Sequence, residues 1–422
     1  MKKLFICVCY FIFLNLNAQT DKEYEVLIAK ANLSHLQKNY KATIAYYDEA
    51  FRIQSPDALT AYKAAGVYSL ENDADKSFYY LQMALDKGWT EADWLVSDPY
   101  FDYIRNSYSE KWRAIEKKAF DKESQYNKTL QLASLRKEIN LMTLRDQQLR
   151  FKRAQTQNDS LLAIINNEIN QSDLENLNNA QKIIKQYGWP KISQIGKDGQ
   201  NNLWLIVQHA DQNVGFQQEA LSAMEKLKSH NELNMKNFAF LYDRVQCNLN
   251  YKQLYGTQVL WTNNGEASGF KPMIKEYLAD ERRKKIGMES LELYSLIYDF
   301  SYKNITSKES DEKDATYKKQ VQDLIKNAKM FYEKKEFSKT YDYYNTASTF
   351  LGGMTNKENF EAAVIFSKIG TIDQDEKYKS ISLDFLELLN LRKFLTKRKL
   401  INEPAFLVLH KDPRWDRINK SL

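Results

Sequence analysis

The stretch Lys38-Asn39-Tyr40-Lys41-Ala42-Thr43-Ile44-Ala45-Tyr46-Tyr47-Asp48-Glu49-Ala50 sets the architecture, because its pattern returns after 34 positions (38 to 72). Lys38-Asn39-Tyr40 becomes Asn72-Asp73-Ala74, Ala45-Tyr46-Tyr47 becomes Tyr79-Tyr80-Leu81, and Ala50 becomes Ala84. A small residue at Ala50 and Ala84 lets two helices approach closely, and the aromatics around it fill the space between helix pairs. A third copy lies far away, in Glu336-Phe337, Tyr343-Tyr344 and Ala347. Gly 13 and Pro 6 are few for 422 residues, which disfavours a turn-rich β fold and leaves helices.

This period resembles the tetratricopeptide repeat, with Tyr47 and Leu81 at its large apolar position. The glycine of the repeat's first tight turn is missing from all three copies, and any antiparallel stack of helical hairpins has the same architecture. A second echo pairs Asp98-Pro99-Tyr100-Phe101 with Glu403-Pro404-Ala405-Phe406, each followed by a tryptophan, Trp112 or Trp415. An acid before an early proline marks a helix start. Phe101, Ile104, Phe406 and Leu409 are expected to cover the open ends of the stacks. His410, inside the second cap, reads as a packing residue.

The N-terminus reads as an address. Lys2 and Lys3 precede the apolar run Leu4–Leu16 and Asn17-Ala18-Gln19, the layout of a secretory signal peptide cleaved after Ala18. Cys7 and Cys9 would leave with it, so the mature chain, with only Cys247, could form no internal disulfide. The expectation is an exported protein, periplasmic or extracellular, with no membrane span. A net charge of +6 on 61 basic and 55 acidic residues gives no reason to expect nucleic acid.

Residues 121–303 lack the period. Leu132, Leu135, Ile139, Met142 and Leu149 mark one face of a long helix, and Asp146 falls on that face with Arg150 four residues on. Ser172-Asp173-Leu174-Glu175 reads as a capping box opening a second helix, which ends at Gly188-Trp189-Pro190. His209 and Asp211 follow the apolar run Leu203–Val207, expected as helix, and so belong at the edge of a core. Asp243-Arg244 lies late in a helix. Asn263-Asn264-Gly265 after Val259-Leu260-Trp261 predicts a β-hairpin. Glu276–Phe300 reads as helix, with Arg282-Arg283-Lys284-Lys285 on a solvated face.

Five pieces in order, Asp146-Gln147 with Arg150, Gly188-Trp189-Pro190, Gln208-His209-Ala210-Asp211, Asp243-Arg244 and Tyr255-Gly256-Thr257-Gln258, resemble the signature of a bacterial domain of unknown function. The resemblance implies no reaction. It marks a polar set that packing alone seldom dictates.

The expectation is an all-α chain: a signal peptide (1–18), tetratricopeptide-like repeats with a cap (19–120), a central helical domain with a small β-hairpin (121–303), and C-terminal repeats with a cap (304–422). Residues 304–316 are its best-marked boundary. An exported binding or scaffold protein fits best, its repeats taking a protein or peptide partner. An enzyme, a hydrolase by class, is the alternative. In it His209, Asp211 and Asp146 would do the acid–base work. Arg150, Gln147, Gln208, Asp243, Arg244, Tyr255, Thr257 and Gln258 would hold a small anionic ligand. No nucleophile stands out, Cys247 included. With no HExxH, no cysteine pair and no glycine-rich phosphate loop, neither a metal nor a cofactor is called for.

Overall fold

The computed structural model describes residues 21–422; the expected signal peptide, with Cys7 and Cys9, lies outside the described residues. The fold is all-α with one small antiparallel sheet. Helix α1 covers 21–36. There follow α2 (Tyr40–Ile53), α3 (Ala58–Leu70), α4 (Ala74–Asp86), α5 (Ala92–Ser97), α6 (Asp102–Ser107) and α7 (Ser109–Asn127). The period seen in the sequence is a backbone repeat. Lys38 and Asn72 are both left-handed, and the next residues, Asn39 and Asp73, cap α2 and α4 with their side chains. Ala50 and Ala84 are fully buried beside Tyr47 and Leu81.

Next come α8 (Ala133–Gln155), α9 (Asp159–Tyr187), α10 (Ile192–His209), α11 (Val214–Glu225) and α12 (Met235–Asn248). Strand β1 (Val259–Trp261) pairs with β2 (Ala267–Phe270) as the expected hairpin. The stretch expected as one helix over 276–300 is broken: α13 (Ala279–Lys285) and α14 (Leu291–Ile297) are separated by Gly287 at φ 72°. The supposed solvated basic face is also corrected. Arg283 is fully buried and donates to Tyr255 O and Glu289 O, while Arg282 donates to the carbonyls of Leu254, Ile274 and Lys275. Both arginines therefore hold chain segments together.

The chain ends with α15 (Ser307–Glu333), α16 (Phe337–Ser348), α17 (Asn356–Ile372), α18 (Glu376–Leu391), α19 (Lys397–Ile401) and α20 (Pro413–Ser421). The two closest hairpins use the same device. Ser77 of α4 donates to Ala65 O of α3, and Ser382 of α18 donates to Ala363 O of α17. At the caps, Asp98 accepts from Tyr100 N and Glu403 from Ala405 N, each starting a 3-10 turn at the proline. Phe101 and Ile104 close one apolar core, Phe406 and Leu409 another. His410 packs on Trp415, ring centroids 4.5 Å apart.

A third core, from Leu135 to Leu249, joins α8 to α12. It meets the C-terminal helices through Arg392, which donates to Leu249 O and Asn250 O. No described helix is long and apolar enough to cross a membrane.

Candidate functional site

Asp146 projects from α8 into the seam between α9 and the end of α10. Its side chain is almost fully buried and needs partners for its charge. Gln147 Nε2 donates to it at 2.7 Å and Arg150 Nε at 3.0 Å. The Arg150 guanidinium continues to Asp173 of α9 at 2.7 Å, so one cation serves two carboxylates and ties two helices. His209, in the last turn of α10, sets Nδ1 3.4 Å from Asp146 Oδ2. That is ion-pair distance without the alignment of a hydrogen bond, and Nδ1 has no other partner. Burial pushes the Asp146 carboxyl up, but the His209 imidazole and the Arg150 guanidinium outweigh it and hold the group well below its usual range. For Asp173 burial prevails over Arg150, and its carboxyl is raised.

A cavity of about 10 Å³ opens here, lined by Asp146, Asp173, Asn176, Ile206, His209 and Ala210. That is room for about one water-sized group. Ligand atoms of Asp146, Asp173 and His209 lie within 4.8 Å of one another, a spacing compatible with a metal ion. Arg150 already sits on both carboxylates and supplies the positive charge that a cation would bring.

The other expected residues do not converge on this cavity. Asp211 pairs with Arg244 of α12 and accepts from Gln217, whose amide also donates to the carbonyls of Val207 and Gln208. This arrangement closes the C-terminal end of α10. Burial raises the Asp211 carboxyl, and Arg244 more than compensates, leaving it lowered. The Gln208 side chain is half-buried beside this turn.

Asp243 forms a third group. It is fully buried and accepts from the backbone N–H of Leu254, Tyr255 and Thr257 and from the Thr257 hydroxyl. Burial leaves its carboxyl raised despite these donors. Gly256 sits inside the loop at φ +71°, where a Cβ would meet Leu291 at 2.6 Å and Met273 at 2.8 Å. Gln258 donates to Thr257 Oγ1, and Gln253 grips its backbone on both sides. Tyr255, Thr257 and Gln258 thus anchor a loop. Gly188-Trp189-Pro190 is structural as well: Trp189 lies in the core and Pro190 O accepts from buried Gln200. Cys247 is buried, and its thiol is pushed up to about 12, far from a reactive thiolate.

Asp173 and Asn176 are the residues that sequence reasoning missed. The expected capping box is corrected: α9 runs unbroken from Asp159 to Tyr187, with Asn158 as its cap. Ser172 is buried in mid-helix and Asp173 turns toward Arg150. The signal was the spacing of Ile165, Ile169, Ser172, Asn176 and Ala180, one continuous buried face through the supposed helix start.

The class defined by these observations is an all-α protein whose central helices bring His209, Arg150 and Asp173 around a buried Asp146. Residues 133–305, fewer than half of the chain, match the model of a family of unknown function (DUF6624). No curated protein and no solved structure matches the chain.

Proposed function

We propose that this is an exported helical-hairpin protein whose central domain acts on a small anionic substrate by proton transfer, with hydrolysis as the reaction class. The observation that carries the reading is His209 poised against Asp146 at a water-sized cavity with Asp173 on its far wall. A carboxylate facing Nδ1 orients the ring and leaves Nε2 for the substrate or its attacking water. His209 Nε2 makes no hydrogen bond among the described residues, and the side chain is 23% exposed. Arg150, about a third exposed and bonded to both Asp146 and Asp173, would meet the anionic group. The apolar run and Ala18 support export, and the shared backbone of the 38 and 72 turns supports tetratricopeptide-like flanks. A panel of anionic esters, phosphoesters and amides tests the reading. Turnover should fall about 100-fold in His209→Ala. Turnover indifferent to that change would reject it.

Binding of a protein or peptide by the N-terminal repeats is a second reading. Phe78, Tyr103 and Tyr108 touch edge-on, Lys111 lies over two of these rings, and Tyr79 is 59% exposed nearby. Photocrosslinking from position 79 in the producing cell would reveal a specific partner, and a Tyr108→Ala change should weaken its capture.

A further inference from the structure

The apolar core of α1–α7 and that of α8–α12 share no residue, and a buried polar layer joins them. Its centre is Arg136 of α8, fully buried. Arg136 donates to Asp198 at 2.8 Å, Glu123 at 3.1 Å, Asn127 at 2.8 Å and Thr90 O at 2.8 Å, with the Tyr126 ring 5.1 Å away. Asn202 of α10 donates to Glu91 at 2.9 Å and to Asn140, and Asn140 donates back to Asp198. Lys137 pairs with Asp93 and lies 3.7 Å from Glu123.

The charges in this layer do not balance. Arg136 neutralises parts of Asp198 and Glu123, and Lys137 is engaged by Asp93. Glu91, the half-buried N-cap residue of α5, has no cation in direct contact among the described residues; its side-chain partner there is a neutral amide. The titratable and charged groups that face it are Tyr62 on α3, Glu123 on α7, Arg136 on α8 and Asp198 on α10. An excess carboxylate in such a layer is relieved most simply by a proton.

We propose that this layer is a proton-controlled latch between the N-terminal helices and the central domain: protonated Glu91 holds α5 against α10, and ionised Glu91 loosens them. Burial, then the Asp198 charge, pushes the Glu91 carboxyl up to about 7, with Asn202 and Arg136 offsetting part of the rise. In the opened junction the group returns to the ordinary carboxylate range. A group raised in the closed state favours closure in acid, and that preference is lost as pH rises through its closed-state value. The latch stands whether or not the pocket at His209 is catalytic.

Hydrogen–deuterium exchange on the full mature chain tests it, comparing about pH 6 with about pH 8.5 after correction for intrinsic rates. Amides of residues 90–97 and 198–203 should open at least about tenfold more at the higher pH, since each unit of displacement is a factor of ten. Glu91→Gln mimics the protonated group and should abolish that dependence. The same dependence in both proteins, or none in the parent, overturns the proposal. Carbon-13 titration of the Glu91 carboxyl gives a readout independent of the variant's folding. A midpoint near neutrality is expected, and a midpoint below about pH 5 overturns the latch.

Discussion

Asp146 Oδ2 and His209 Nδ1 lie 3.4 Å apart, on two helices that reach the same cavity from different directions. The two residues are held very differently. Asp146 is fixed by Gln147 and Arg150, whereas His209 Nδ1 has no aligned hydrogen bond. Removing one should therefore cost the fold more than removing the other.

Asp146→Asn deletes the charge that Arg150 and His209 face, and leaves Arg150 with Asp173 alone. Loss of a charge-assisted, buried hydrogen-bonded group costs about 1–3 kcal/mol. Urea unfolding of parent and variant at neutral pH gives the value directly.

The pH dependence follows in sign. Asp146 has a lowered carboxyl in the folded chain, so its contribution is present above the unfolded value of about 4 and is lost as pH falls below it toward the depressed folded value. Urea midpoints measured from about pH 5 down to about pH 2.5 should fall more steeply for the parent than for Asp146→Asn.

Asp243 and Gly256 are assigned to architecture. Gly256→Ala forces a Cβ into Leu291 and Met273 at positive φ, and should destabilise by about 2 kcal/mol or more. Asp243→Asn replaces an acceptor of three backbone N–H groups with a half-donor, at a cost of about 2–4 kcal/mol. Thermal unfolding of both variants checks this. A fully stable Asp243→Asn would return that residue to the functional candidates.

Ala84 is fully buried where helices of the N-terminal repeat meet. Enlarging it in Ala84→Leu should cost about 1–3 kcal/mol by overpacking, seen as a lower unfolding midpoint. Export has its own check: mass spectrometry of the exported protein should find Gln19 at its N-terminus.

Local patterns made much of this legible. Ala50 and Ala84 betrayed close helix pairs, the Asp98-Pro99 and Glu403-Pro404 steps betrayed helix starts, and Asp146 stood out as a carboxylate on an apolar face. What stayed hidden was long-range. Ser172-Asp173-Leu174-Glu175 obeys the grammar of a capping box, so Asp173 looked committed to a helix start rather than to Arg150. Arg282 and Arg283 looked solvated because their partners are backbone carbonyls, which leave no mark in a sequence. One separation was readable. Neighbouring helical residues point about 100° apart, so Asp243 and Arg244 were poorly placed to share a pocket.

The melting temperature of His209→Ala beside the parent is the most direct test of whether the cluster is kept for chemistry or for packing. A residue held for chemistry, with its inner nitrogen unpaired, predicts a melting temperature within about 2 °C of the parent or above it. A loss of about 5 °C or more would contradict this and make His209 a strut of the seam between α8 and α10.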